Sequence, residues 1–404
     1  MDENLKRALR EHLGKAKSSK GLSEMLQEIF KEAVQELLQS EMEEHLGYEK
    51  HASNSSQFTN NRNGKTRKTI KSKYGETEIE VPRDRDGTFE PVVIPKRKRI
   101  IEEIEDHVIS LYTHGLSTRD IESHIKDLYG VEMSEATISH ITDRIIDHIE
   151  QWKNRKLERV YMVVWMDAIV FKVRQDGKVI DKAVQIAVGL NNQGIKEMLG
   201  MWLCQNESAS FWMSVLTNLK SRGVEDIFVT STDNLKGFTD AIKAVFPFAK
   251  TQICIVHQLR NSLRYVVFKD RKAVAESLKQ VYDAPDQQIA ANKLGEFEKQ
   301  WSKKYPYIGQ SWRNNWDNLT TFLEFPLEIR KIIYTTNVIE NINRIIRKYT
   351  KNKTMLPNDT AVEKVVYLAL MQVSKNWRIP RKDWPIMLLQ FINIFGQEKC
   401  GIII

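Results

Sequence analysis

The sequence predicts a mixed α/β protein in which one β-rich region is embedded among helices. Three observations predict it. Residues 158–258 alternate β-rich and helical stretches in the order β-β-β-α-β-α-β. Residues 265–333 are strongly helical and form an all-α insertion. Upstream, helical periodicity fills residues 22–46 and 100–150, and one short alternating segment at 69–83 lies between them.

At 404 residues the chain exceeds one typical domain. Hydrophobic residues make up 41% and aromatics 9%, enough to fill a sizeable core, which excludes a disordered chain. The formal net charge of +8 fits a polyanionic partner, although many basic proteins are merely soluble. Three cysteines, Cys204, Cys254 and Cys400, make no disulfide framework and suit a reducing compartment. The segment MDENLKRALREHLGKAK lacks the apolar stretch of a secretory signal. The most apolar run, 160–171, is short and carries Asp167, so no membrane partner is expected.

In residues 22–46, Leu22, Met25, Leu26, Ile29, Phe30, Ala33, Leu37 and Leu38 recur at helical spacing. Such a stripe serves a core or pairs two protomers. Residues 48–65 turn to Asn, Ser, Lys and Gly and read as a loop or linker. TIKSKYGETEIEVPR (69–83) alternates around Tyr74-Gly75 and reads as a small β-hairpin. It leads to Lys96, Arg97, Lys98 and Arg99, the densest positive cluster, which is either a phosphate contact or a solvated charge run.

Residues 100–150 read as three helices, with Ser117 and Ser134 as N-caps and Gly115 and Gly130 as stops. Two of them, joined at 130–133, form a candidate helix-turn-helix whose second helix would offer Glu135, Ala136, Thr137 and His140 to bases. A three-helix bundle without DNA contact is the alternative.

From residue 158, ERVYMVVWMDAIVFKVR, DKAVQIAVGLN and EMLGMWLCQNE read as three antiparallel neighbours. SASFWMSVLTNLKSRG is helical, with Phe211, Trp212, Val215, Leu216 and Leu219 on one face. DIFVTSTDN is a fourth strand, LKGFTDAIKAVFP a helix and AKTQICIV a fifth strand. This order is that of the RNase H-like fold, where the first and fourth strands lie side by side. Asp167 falls within the first strand and Asp233 at the end of the fourth, a separation comfortable for three strands and one helix. Two carboxylates held together repel unless a cation lies between them. Mg²⁺ suits oxygen ligands, and a metal pair can activate an attacking oxygen while stabilising the leaving one.

A third carboxylate comes from YTTNVIENINRIIRKYTK, where Glu340 opens a helix carrying Arg344, Arg347, Lys348 and Lys351. The alternative is a capping box from Asn337 to Glu340. The stretch from Asp233 to Glu340 is far longer than the fold requires, so a segment is inserted between them.

The runs MDAIVFKVR, STDNLKGF, CIVHQLRN, SWRNNW and YTTNVIENINRIIRK, in that order, resemble the Mutator-type family of bacterial insertion-sequence transposases. The likeness extends over nearly the whole chain, including GYEKH, NNRNGKTRK and FEPVVIPKRKR. The resemblance implies DDE chemistry with Asp167, Asp233 and Glu340 as acidic triad, holding Mg²⁺ (or Mn²⁺), two ions per site. Water would attack the phosphodiester at the element's end, and the freed 3′-hydroxyl would attack target DNA. The family's Cys-x-x-His element matches Cys254 and His257. Zinc is a poor reading, since a structural zinc wants four ligands and no second Cys/His pair stands nearby. His257 is instead expected near the active site, with Cys254 packed in the strand. Arg260, Asn261 and Arg264, with Asn337, Arg344 and Lys348, are candidates for the DNA backbone.

The expected partners are double-stranded DNA, as terminal inverted repeats and target, and a second copy of the chain, with residues 1–60 a candidate for pairing. The expected location is the cytoplasm, nucleoid-associated when bound to DNA. The expected organisation is a helical N-terminal region (1–60), a hairpin and basic segment (61–99) and a helix-turn-helix domain (100–155). A catalytic core follows in two parts (156–258 and 334–404), flanking the helical insertion (259–333). A structure-specific nuclease of the same fold and a transposase-derived regulator without catalysis are the competing readings.

Overall fold

A computed structural model describes residues 18–50, 60–96, 98–206, 208–233, 237–334, 337–351 and 353–401. The chain divides into two compact units between Arg144 and Ile145.

In the first unit, α1 (Ser19–Leu46) is capped by Ser18, whose Oγ accepts from the Gly21 amide, and ends at Gly47 in the left-handed region. It buries Val34 and Leu38 against Ile70 and Ile79 of a hairpin, β1 (Arg62–Ser72) and β2 (Gly75–Asp84). The register pairs Lys68 with Ile79 and Ile70 with Thr77, so alternation puts both isoleucines on one face. Strand β1 starts at Arg62, inside the stretch whose composition reads as linker. Its first residues carry exposed polar side chains and are held by pairing with β2, which composition does not report. The rest of that stretch, 51–59, lies outside the described residues.

The turn after β2 is organised by Asp84. Its Oδ2 accepts from Asn60 Nδ2 (2.7 Å), the Thr88 amide (2.9 Å) and Thr88 Oγ1 (2.8 Å), and its Oδ1 from the Phe89 amide (3.2 Å). Burial pushes this carboxyl up, but the hydrogen bonds from Asn60, Thr88 and Phe89 outweigh burial and hold it well below the usual carboxylate range.

Three helices complete the unit: α2 (Glu102–Thr113), α3 (Thr118–Tyr129) and α4 (Glu135–Asp143). A capping box between Ser117 and Asp120 starts α3, left-handed Gly130 ends it, and Ser134 caps α4. The single long helix expected after Ser134 is broken. The Arg144 amide bonds Ile141 and Thr142 carbonyls instead of closing a full turn, its guanidinium pairs with Glu105, and α5 (Ile145–Asn154) begins anew in the second unit.

The second unit is built on a mixed sheet in the order β5-β4-β3-β6-β7. Its strands are β3 (Val160–Gln175), β4 (Lys178–Asn191), β5 (Lys196–Cys204), β6 (Asp226–Thr232) and β7 (Lys250–Ile253). The first three are antiparallel neighbours, and β6 and β7 run parallel to β3, so the first and fourth strands of the unit lie side by side as expected. Parallel pairing requires a crossover, supplied by α6 (Ala209–Ser221) between β5 and β6 and by α7 (Phe238–Val245) between β6 and β7. These helices cover one face, packing Trp212, Leu216, Phe238 and Ile242 on Tyr161, Val164 and Met166.

The insertion comprises α8 (Ile255–Leu263), α9 (Phe268–Tyr282), α10 (Gln287–Trp301), α11 (Pro306–Asn314), α12 (Trp316–Thr320), a 3₁₀ turn (Thr321–Glu324) and α13 (Leu327–Ile333). The Trp312 indole donates to Ser262 Oγ at 2.9 Å, and its ring is fully buried. The chain then returns to the sheet through α14 (Asn337–Thr350), α15 (Asp359–Ser374) and α16 (Trp384–Phe395). On this second face the Trp165 indole donates to the Ile332 carbonyl (3.0 Å), and Phe228 stacks on Phe395 at 4.3 Å. Among the described residues no helix is long and apolar enough to cross a membrane.

Replacing Asp84 by Ala would leave the Asn60, Thr88 and Phe89 donors unmet and cost about 1–3 kcal/mol of stability. Because its folded-state pKa is depressed, the carboxylate's contribution is present above the unfolded carboxylate range and lost as pH falls through the folded value. Thermal melts are therefore expected to separate wild type from Asp84→Ala near neutral pH and to converge in strong acid.

Candidate functional site

The site forms where β3 and β6 run in parallel. Val163 pairs with Val229 and Trp165 with Ser231, so one sequence offset holds along the pairing. The same offset carries Asp167 to Asp233, the residue just beyond the end of β6. Asp167 lies on the same side of β3 as Trp165, two residues away, and is only 7% exposed. Residues 234–236 lie outside the described set.

The helix after β7 supplies the next groups. Cys254 packs fully buried as the N-cap of α8 instead of within the strand, because β7 ends at Ile253. Its amide donates to the Thr232 carbonyl at 2.7 Å, tying the start of α8 to the end of β6 beside Asp233. One turn on, His257 is raised to about 9, first by its hydrogen bond with Cys254, against the opposing effect of burial, and further by electrostatic interaction with Cys254, Asp167 and Asp233. Arg260, another turn along, places Nη2 3.3 Å from Glu340 Oε1.

Glu340 is in the first turn of α14, whose Ile339, Ile342 and Ile346 are buried. Asn343, three residues on and therefore on a neighbouring surface of the helix, donates Nδ2 to Asp167 Oδ2 at 2.9 Å. The other Asp167 oxygen accepts the Ala168 amide at 2.9 Å. Burial raises the Asp167 carboxyl above its ordinary value; His257, the Ala168 amide and Arg260 oppose that shift, and the charge of Glu340 adds to it. Asp167, Asp233, His257, Arg260 and Glu340 thus act on one another electrostatically. Asn343 was missed in the sequence, where its only signal is its position three residues after Glu340.

Among the described residues no three His, Cys, Asp or Glu side chains stand close enough together to hold one metal ion. The donor chemistry nevertheless suits a hard cation: oxygen ligands only, one of them a buried carboxylate whose ionised form needs positive charge. One oxygen of Glu340 accepts from Arg260 Nη2.

Of the other candidates, Arg260, Asn261 and Arg264 line an open cleft of about 750 Å³ together with Arg271. On α14, Arg344 and Lys348 are exposed, with Arg344 bonded to Asn341 Oδ1; the side chain of Asn337 lies outside the described set. In the first unit, Glu135 accepts from Thr118 Oγ1 and pairs with Arg119, and Thr137 shares the Ser134 cap, so both are engaged within the unit. Ala136 and His140 are exposed. Lys96 pairs with Glu90 and Lys98 with Glu105, Arg99 is exposed, and Arg97 lies outside the described residues.

An aspartate within β3, a second just past the end of the parallel neighbour β6, a glutamate on a helix after a long helical insertion, and a separate unit of hairpin and short helices describe a class of protein that comparison identifies. The chain matches the family model for transposases of the Mutator family over residues 2–380 and belongs to that family. It is 40% identical over 379 residues, 94% of each chain, to a probable transposase for an ISRM3-like insertion sequence element from Sinorhizobium fredii. It is 34% identical to the transposase for insertion sequence element IS905 of Lactococcus lactis, covering 88% of this chain and 90% of that one. Among solved structures, the Drosophila P element transposase strand transfer complex aligns over 74% of this chain and 81% of its own, at 12% identity and a TM-score of 0.29, a likeness that carries no argument.

Proposed function

We propose that this transposase binds the terminal inverted repeats of an insertion sequence and cuts and joins DNA by DDE chemistry. Asp167, Asp233 and Glu340 are the acids, on an RNase H-like core interrupted by the helical insertion. The observation that carries the reading is the constant β3–β6 register offset, which equals the sequence separation of the two aspartates. The domain organisation proposed is the one read from the sequence, with residues 1–155 serving DNA recognition and pairing of protomers. Two element ends must be processed in concert, so the working form proposed is at least a dimer. Acting on chromosomal DNA, it would work in the cytoplasm.

The three carboxylates would hold Mg²⁺ or Mn²⁺, two ions per site. When bound, the ions would activate the attacking oxygen and stabilise the leaving one. The chain's own residues do the rest. Asn343 and the Ala168 amide fix both oxygens of Asp167. Glu340 must exchange its Arg260 partner before it can serve as a ligand, and the released guanidinium is suited to a phosphate. His257, one turn from Cys254 on the helix tied to the end of β6, is proposed to donate a hydrogen bond to the scissile phosphate. Asn261, Arg264, Arg344 and Lys348 are proposed to contact the backbone of the bound strand.

The test uses a labelled duplex carrying the element's own end, with Mg²⁺. Wild type is expected to yield 3′-hydroxyl ends and joined products. Asp167→Asn, Asp233→Asn and Glu340→Gln should each cut roughly 10²–10³-fold more slowly or worse, while end binding persists. Normal cutting by any one of them removes that residue from the triad, and binding without cutting by wild type favours the regulator.

Asn343→Ala is expected to lower both the cutting rate and the affinity for Mn²⁺ about 10–100-fold, as loss of a group orienting a ligand does. Unchanged Mn²⁺ binding would reduce Asn343 to a packing role.

A further inference from the structure

The first unit carries a basic feature that the acids do not use. Beside the hairpin lies an open trough of about 490 Å³, rimmed by Lys68, Arg83, Lys96 and Arg99 and floored by Val81, Phe89, Pro91 and Ile94. The β1–β2 register puts Lys68, Val81 and Arg83 on one side of the ribbon, because Lys68 is level with Ile79 and Thr66 with Val81. Arg83 stands four residues beyond Ile79, so the two cations are about 13 Å apart along the ribbon. A DNA strand carries one charge per roughly 3.4 Å of helix axis, and the trough therefore spans several phosphates.

The cations are gathered at an electrostatic cost. Lys68 Nζ is fixed on the Pro95 carbonyl at 2.8 Å. Burial first, and then the charge of Arg99, hold its ammonium below its ordinary value. Arg83 and Arg99 have no carboxylate at ion-pair distance among the described residues. Of the acids nearby, Asp84 lines the trough, but both its oxygens are occupied by Asn60, Thr88 and Phe89. Glu90 is spent on Lys96. Arg83 and Arg99 are thus left without a neutralising carboxylate, a condition that an external anion relieves. The apolar floor between them suits the sugar faces of a nucleic-acid backbone better than a small free anion.

We propose that this trough is a docking site for the phosphate backbone of duplex DNA, with Arg83 and Arg99 as its principal contacts. The proposal rests on membership of a transposase family and not on the assignment of the three acids. Its contacts would position DNA without reading sequence.

The experiment is a salt titration of binding by the full chain to a labelled random-sequence duplex, followed by fluorescence anisotropy. Each lost phosphate contact lowers the slope of log K against log salt by about 0.9, so Arg83→Ala/Arg99→Ala is expected to lower it by about 1.8 and to weaken binding at least about tenfold near 0.1 M salt. Arg83→Lys/Arg99→Lys, which keeps the charges, should retain the wild-type slope. Lys65→Ala, on the opposite side of the ribbon and paired with Glu80, should also leave the slope unchanged. An unaltered slope in the double alanine variant with an unchanged melting temperature overturns the proposal. So does an equal loss per charge in Lys65→Ala, which would reduce the trough to part of a general positive field.

Discussion

Parallel pairing of β3 with β6 is the constraint on which the rest of the second unit depends. Parallel neighbours cannot be joined by a tight turn, so α6 must cross over one face, and that face acquires its cover of Trp212, Leu216 and Leu219. The pairing also fixes register. A slip of one residue would turn Asp167 to the opposite face of the sheet, among Val164 and Met166 and the helices that cover them. Because β3 is apolar on both faces around it, the backbone pairing with β4 and β6 sets the side on which Asp167 stands.

Such a residue is expensive. A carboxylate in the middle of an apolar strand, almost shut off from water, carries a desolvation penalty that hydrogen bonds and nearby charge have to offset. The chain supplies an amide from Asn343, the Ala168 N–H, and the cationic groups His257 and Arg260 from one helix. These come from three separate stretches of sequence. The Cys254 amide on the Thr232 carbonyl explains how the helix bearing the two cations is aimed, since it locks the first turn of α8 to the strand end carrying Asp233.

Much of this was legible in the residues. Strand order follows from counting β-rich runs and crossovers, and adjacency of the first and fourth strands followed with it. Interactions between distant segments were less visible. The start of β1 at Arg62 has no apolar pattern because its residues are held by backbone pairing. The break at Arg144 has no glycine or proline to announce it, and coincides with a pairing to Glu105, 39 residues earlier. Asn343 looked like any polar residue on an exposed helix face until Asp167, 176 residues away, was brought beneath it. Arg260 reads equally well as a phosphate contact or as a partner of Glu340, and only folding decides which it meets first.

The order in which the sheet acquires its two covers bears on how the protein is made. Helices α6 and α7 are interleaved with the strands in sequence, whereas α13 closes the insertion and α14 and α16 follow it. Until then the side of the sheet bearing Trp165 and Phe228 lacks Ile332, Phe391 and Phe395, and Glu340 has not been added. The cover of that side of the sheet and the residue that meets Arg260 thus come from the last quarter of the chain, after both aspartates.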